Sequence, residues 1–480
     1  MQIAVVGGGA AAISVLVALA RGNPEEVTVV SDQPPGPGRA YAEPSSSALL
    51  NRQVKAMSID AEDPNDFLRW LGTHDDADRE GFVARSIYGK YLSDQISTIE
   101  KAWSGRVSVC NGRAIDLERG DGRWVLTVQT RQGVLRDAFD VVVLALGTSI
   151  PGDPYQLEGS DNYHPDVYPI SEWIGTAEGH RLGVVGTGLS GIDAAAAFYD
   201  SGAAGEMTMV SRRGMLPDVR DFSSVIDYDP DITRMIGQTA RQRQGLEWED
   251  VDQVLNYICL TAGIRPSEMR DTFTELSMPA EKRFRNAADS SQHSVNAEVQ
   301  RAVVGIANHY INDLWSLMRA SARRIFLKQY HSSFQSLANP LPPQTARKLS
   351  EMMNDGLLGI QPGVQQIEPV HGGFRLCLKA DVREVERVVN ATKMPGGSLA
   401  GAAGSLLASL TYRGIAIKNP FGGLRIDPAV NLIKSPHGFA QPGLYALGEV
   451  TVGDIYYISS ISKIRDRAQE IVRHFRQMEG

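Results

Sequence analysis

The stretch Gln2-Ile3-Ala4-Val5-Val6-Gly7-Gly8-Gly9-Ala10-Ala11-Ala12 decides the fold. Its apolar start reads as a buried parallel strand, its glycines as a tight turn, and the Ala/Leu/Val-rich run to about Ala20 as a helix. A second apolar run, residues 27–30, ends at Ser31-Asp32. Strand, glycine turn, helix and strand make a βαβ unit carrying GxGxxA at Gly7, Gly9 and Ala12. The glycines let the backbone approach a pyrophosphate, which sits at the positive end of the helix. An acid about twenty positions further on accepts from a ribose hydroxyl, and Asp32 has that spacing from Ala12.

The same grammar recurs at residue 181. Residues 181–185 read as a strand, Gly186-Thr187-Gly188-Leu189-Ser190-Gly191 as the loop, 192–199 as a helix and 206–210 as the next strand. This strand ends in Ser211-Arg212-Arg213, with no acid. Two guanidinium groups suit a 2′-phosphate, so the site is expected to prefer NADPH over NADH, with Gly186, Gly188, Ser190, Arg212 and Arg213 in contact. A weaker repeat follows each βαβ unit. Residues 112–147 read as a β-meander and a return strand ending in Gly147, and residues 363–392 do the same, with Lys393 where the glycine would stand.

Residues 221–330 hold four of the 47 glycines, and their apolar positions (Val303, Ala307, Tyr310, Leu314) follow helical spacing. They read as a mainly helical insertion contributing to the substrate cleft. The run Gly443-Leu-Tyr-Ala-Leu-Gly448-Glu449 reads as a late strand and glycine turn, with a closing helix over 461–475. The expected fold class is α/β, with two Rossmann-like dinucleotide-binding domains in three layers and the helical insertion. Residues 1–155 and 393–480 are assigned to an FAD-binding domain, 156–220 and 331–392 to an NADPH-binding domain.

Composition excludes several classes. A net charge of −8 without long like-charge blocks disfavours nucleic-acid and anionic-membrane partners. Cys110, Cys259 and Cys377 are isolated, which argues against a disulfide framework, a zinc ribbon or a dithiol centre. Met1 to Ala20 is apolar like a signal peptide but lacks the basic leader, and its glycine run interrupts the apolar stretch, so a cytoplasmic location is expected. His74 with Asp75, Asp76 and Asp78 reads as a solvated loop, so no metal is expected.

Several further motifs resemble one group of FAD/NAD(P)-binding flavoproteins. They are Asn51, Met57-Ser58, Asp63-Pro64, Phe67-Leu-Arg-Trp70 and Phe82-Val-x-Arg85-x-x-Tyr88-Gly89-x-Tyr91-Leu92, then Ser211-Arg-Arg-Gly-x-Leu-Pro217 and Leu444-Tyr-Ala-Leu-Gly448 with Ile464-Arg465. That group includes FAD-dependent urate hydroxylases and nitrosuccinate-forming aspartate N-monooxygenases. The resemblance implies an NADPH-consuming monooxygenase acting through a C4a-hydroperoxyflavin on a small-molecule substrate and O₂. FAD would contact Gly7, Gly9, Ala12, Asp32, Asn51, Gly448 and Glu449, the last two near the ribitol. N-hydroxylation of a small amino acid or related amine leads, with Lys55, Arg85 and Arg52 as candidates for the substrate carboxylate. C-hydroxylation of a urate-like heterocycle, or a flavin-dependent oxidase or dehydrogenase, stays open. Arg52-Gln53 follows Asn51 where relatives carry Val-Pro, which points to a different or more anionic substrate.

Overall fold

The computed structural model describes residues 1–22, 26–74, 81–148, 151–203, 205–221, 226–280, 283, 296–393 and 401–478. Strands and helices run in this order: β1 Gln2–Val6, α1 Ala10–Ala20, β2 Glu26–Ser31, α2 Gly38–Tyr41, α3 Asp66–His74, α4 Arg85–Ala102, β3 Val107–Gly120, β4 Arg123–Thr130, β5 Gly133–Phe139 and β6 Val141–Leu144. After β7 Tyr163–His164 come β8 Leu182–Val185, α5 Leu189–Asp200 and β9 Met207–Ser211. The helical stretch holds α6 Pro230–Arg243, α7 Trp248–Thr261, α8 Pro266–Glu275, α9 Ala297–His309, α10 Ile311–Leu317, α11 Ala320–Ile325, α12 His331–Ala338 and α13 Pro343–Asn354. The chain closes with β10 Leu358–Pro362, β11 Val364–Val370, β12 Gly373–Leu378, β13 Val382–Val385, β14 Arg387–Asn390, α14 Gly401–Tyr412, β15 Leu432–Lys434, β16 Ala440–Ala446 and α15 Ile461–Gln477.

These elements sort into two units, one of Met1–Ser46, Arg52–Gly152 and Lys393–Gly480, the other of Ser47–Asn51 and Asp153–Thr392. In the first unit an eight-stranded sheet has the order β15-β16-β6-β1-β2-β3-β4-β5. Its middle is parallel, β16-β6-β1-β2-β3. Every residue of β6 is buried, as a run of Val-Val-Val-Leu at the centre of a two-sided parallel sheet must be. The first part of β3, to Asn111, extends the parallel sheet, and from Gly112 it pairs antiparallel with β4, with a bulge between Ala114 and Asp116. That strand therefore starts five residues before the meander the sequence marks from 112. In the second unit the order is β10-β9-β8-β14-β7, parallel throughout, with β11-β12-β13 as a separate antiparallel meander.

The helical stretch begins after β9 and runs on past residue 330 through α12 and α13. Its helices start where side chains can cap them: Asp229 accepts from the Asp231 amide with Pro230 at the first helical position, and Asn296 accepts from the Val299 amide. Buried Gln300 on α9 donates to the Asp218 carboxylate and the Val219 carbonyl, both at 2.8 Å, and accepts from the Asp221 amide. One amide side chain thus pins the segment leaving β9 to the helices.

The aromatic motif of residues 67–91 is a core device. Phe67 of α3 lies 5.0 Å from Tyr88 and 4.8 Å from Tyr91, both of α4, and Tyr88 lies 4.8 Å from Tyr41 of α2. Tyr91 donates to Asp66, whose carboxyl burial nevertheless pushes up. Gly89 lets α2 approach α4, since a Cβ there would lie 2.3 Å from the Tyr41 carbonyl oxygen. Gly89→Ala is predicted to destabilise the protein by about 1–3 kcal/mol in a urea titration. Gly175→Ala, where a Cβ meets nothing within 4 Å, is predicted to stay within about 0.5 kcal/mol of the parent.

Candidate functional site

Two loops are built to one plan. In the first unit β1 lies between β2 and β6, so the strand order reverses there, the kind of point at which a crevice opens outside the strand ends. The Gly7 amide donates to the Val30 carbonyl at 2.8 Å and the Ala145 amide to the Val6 carbonyl at 2.8 Å. Gly7 has φ 122°, and a Cβ on it would stand 2.0 Å from the Ala145 oxygen, so no other residue fits. Gly9 caps α1 with extended backbone, and its Cα side faces Gly38, also without a side chain. The result is a bare backbone cradle at a helix N-terminus, with Ala12 fully buried beneath it.

The second unit repeats this bond for bond. β8 lies between β9 and β14. The Gly186 amide donates to Val210 at 2.8 Å, and the Ala391 amide donates to Val185 at 2.9 Å. A Cβ on Gly186 would stand 2.7 Å from the Ala391 oxygen. Gly188 caps α5, which begins at Leu189, three residues before the sequence places it, so Ser190 lies in the first helical turn. Gly191 is needed for a different reason: a Cβ there would stand 2.3 Å from the Gly186 oxygen, so helix and strand pack in contact.

The two loops differ at the end of the second strand. Both strands end in serine. Ser31 Oγ sits where a Cβ of Gly8 would come within 2.6 Å, whereas Ser211 Oγ bonds to the Thr187 hydroxyl at 2.9 Å. The next residue is Asp32 in the first copy and Arg212 in the second, a reversal of charge at one structural position. Asp32 is half-exposed and bound to Arg113 of β3 at 3.1 Å. Arg212 lines a cleft of about 480 Å³ with Arg213, Lys379, Gln361 and Ser277. Arg213 also donates to the Lys328 carbonyl at 2.5 Å, which ties it to the helical stretch. Lys379 was not singled out by the sequence. Its amide donates to the Gly363 carbonyl and its stem packs over that glycine, a placement set by the β12–β13 turn and invisible in local sequence.

Gly448 (φ 87°) turns the chain out of β16, and a Cβ there would lie 3.9 Å from that of Ala11, so the turn rests on the start of α1. Glu449 follows, buried. Its Oε1 takes the Lys393 ammonium at 2.8 Å, and its Oε2 is buried with no partner among the described residues. A glycine cradle closed by the first turn of α1 and an unsatisfied carboxylate oxygen beside it suit a group with a pyrophosphate and hydroxyls, as the dinucleotide flavin has.

The other expected residues lie in the segment 51–55 and at the start of α4. Asn51 belongs to the second unit, where its carbonyl accepts two bonds from Arg220, at 3.1 and 2.7 Å. Arg52 donates to the Tyr457 hydroxyl at 3.3 Å, Lys55 is exposed on a short 3-10 turn, and Arg85 opens α4. The helical stretch encloses a cavity among Trp248, Phe273, Phe326 and Tyr330 of about 50 Å³, a third of the roughly 150 Å³ that admits benzene elsewhere. No group of three metal-ligating side chains occurs among the described residues, and Asp75, Asp76 and Asp78, with the side chain of His74, lie outside them. No helix of the described residues is long and apolar enough to cross a membrane.

Comparison with known proteins agrees with this geometry. Residues 4–149 match a family model described as FAD-NAD(P)-binding. The Escherichia coli K12 protein YdhS is 26% identical over 271 residues, a match that spans about half of this chain and 48% of that protein. Among solved structures, ornithine hydroxylase from Pseudomonas aeruginosa superimposes with a TM-score of 0.62 at 14% identity, covering 100% of this chain and 99% of the other. An ornithine N-hydroxylase from Kutzneria sp. 744, solved with reduced FAD, NADP⁺ and L-ornithine, gives 0.54 at 13% over 100% and 99%. L-lysine 6-monooxygenase from Pseudomonas syringae gives 0.53 at 15% over 99% of each chain. The chain thus has a mixed α/β, dinucleotide-binding fold, shared with these hydroxylases.

The thiols are free and differ in setting. Cys259 is buried, and burial pushes it up to about 11. At pH 8 about one Cys259 in a thousand is then a thiolate. Cys259 is predicted to be the slowest of the three to be alkylated in native protein, read by peptide mass mapping; Cys110 and Cys377 are partly exposed.

Proposed function

We propose that this protein is an FAD-dependent, NADPH-consuming monooxygenase that N-hydroxylates the amine of a small amino acid or related metabolite. One observation carries the reading. The same cradle is built twice, and the residue after the second strand changes from Asp32 to Arg212, so the two sites are suited to different dinucleotides. The fold shared with amine hydroxylases supports the reaction class.

In this reading Gly7, Gly9 and Ala12 form the floor for the FAD pyrophosphate, and Asp32 takes a ribose hydroxyl. A carboxylate has about four acceptor positions, so Asp32 can hold Arg113 and a hydroxyl together. Gly448 and Glu449 meet the ribityl chain. Gly186, Gly188 and Ser190 hold the NADPH pyrophosphate, and Arg212, Arg213 and Lys379 surround its 2′-phosphate. FAD, reduced at the expense of NADPH, supplies the oxygen-activating chemistry when bound. The protein's own residues orient and exclude water. Lys55, Arg85 and Arg52 are the cations for a substrate carboxylate. The amine must be deprotonated to act as a nucleophile, so the pocket must also take up or relay that proton.

Arg212→Ala and Lys379→Ala are each predicted to raise the NADPH concentration for half-saturation about 10- to 150-fold, the scale of a charge-assisted hydrogen bond. NADH should change less than about threefold, and equal losses for both coenzymes would remove the 2′-phosphate assignment. The reaction itself is tested by NADPH oxidation across a panel of amino acids and diamines, with hydroxylamine assayed. Amine-stimulated oxidation with hydroxylamine formed is the expected result. Urate-stimulated oxidation would move the assignment to C-hydroxylation, and stoichiometric peroxide without oxygenated product would make the protein an oxidase.

A further inference from the structure

The two repeats end differently. After β6 the chain reads Ala145-Leu146-Gly147, and after β14 it reads Ala391-Thr392-Lys393. Ala145 and Ala391 are equivalent, each donating to the last residue of the neighbouring strand, so Lys393 stands where the first copy has Gly147. Glycine there leaves an open position, since nothing lies within 4 Å of a Cβ on Gly147. The lysine instead reaches Glu449, Nζ to Oε1 at 2.8 Å. The pair is lopsided: the lysine side chain is 66% exposed and the glutamate side chain 7%. Glu449 is also held from below, because Thr451 bonds to the Gly448 carbonyl through its amide at 2.9 Å and its hydroxyl at 2.8 Å. With backbone and one oxygen fixed, the second oxygen remains buried and without a donor among the described residues. A buried acceptor left unsatisfied costs about 1–3 kcal/mol and calls for an explanation. The turn that carries it rests against the start of α1, beside the glycine cradle.

We propose that Lys393 is a positioning residue of the FAD site. Its ammonium orients Glu449 so that the free oxygen accepts a hydroxyl of the FAD ribityl chain, and it neutralises a carboxylate that would otherwise stand buried and unpaired beside the flavin. The proposal rests on the FAD reading above. It gives Lys393 an electrostatic role that a purely structural side chain would not have. Removing the lysine leaves a lone negative charge, which disfavours electrons on the flavin. Removing the carboxylate leaves a lone positive charge, which favours them.

The test is FAD titration onto flavin-free full-length protein, followed by spectroelectrochemical measurement of the bound flavin, for the parent, Lys393→Met, Lys393→Arg, Glu449→Gln and the Met/Gln double variant. Lys393→Met is expected to bind FAD about tenfold more weakly, the scale of one charge-assisted contact, and to shift the flavin midpoint potential downward. Glu449→Gln should shift it upward, the double variant should return towards the parent, and Lys393→Arg should stay within about twofold in affinity. Potentials that move the same way in both single variants, or a Lys393→Met protein equal to the parent in affinity and potential, would overturn the role of Lys393. A parent protein that takes up no FAD would overturn the cofactor reading itself, a result distinct from either. Should Lys393→Met fail to fold, the Glu449→Gln and Lys393→Arg arms still decide by the sign of the one shift and the absence of the other.

Discussion

The molecule depends on a backbone contact made twice: a glycine at the end of a central strand pressed against the carbonyl of an alanine at the end of its neighbour. Gly7 meets Ala145 and Gly186 meets Ala391, each too closely for any side chain. This contact closes the strand ends at the point where the strand order reverses, and it aims the next helix so that its N-terminus faces the crevice. Both helices are uncapped by side chains at Gly9 and Gly188. Their first amide groups are therefore available to an anion, which is the physical basis for pyrophosphate binding at such positions.

From that shared scaffold the units diverge by small substitutions. Thr187 stands where the first copy has Gly8 and locks onto Ser211. Arg212 replaces Asp32, and the meander behind it brings Lys379 to the same cleft. Lys393 replaces Gly147 and reaches back to Glu449. Each change alters charge or hydrogen bonding without disturbing the contacts that hold the strands. Duplicated architecture with divergent edges is a simple way to hold two dinucleotides in one chain.

Much of this was legible in the residues. The two glycine loops, their strands and the charge reversal at 32 and 212 are local patterns, because a βαβ turn is determined by some thirty consecutive residues. Phe67, Tyr88 and Tyr91 stand out in the sequence, but their packing of α2, α3 and α4 against one another does not. What escaped were pairings across long separations. Lys379 lies 167 positions from Arg212, and Lys393 lies 56 from Glu449; no local period links them. The tract 331–354 holds two helices that its Asn339-Pro340 and Pro342-Pro343 do not announce. Pro342 and Pro343 open α13, where an amide would be orphaned anyway.

The central claim is that one chain carries two different dinucleotide cradles at once. It is tested most directly by equilibrium binding stoichiometry, with FAD and NADP⁺ titrated singly and together onto flavin-free protein. The account predicts one FAD and one NADP⁺ per chain, neither displacing the other. Mutual displacement at a shared site, or retention of only one of the two at saturating concentration, would contradict it.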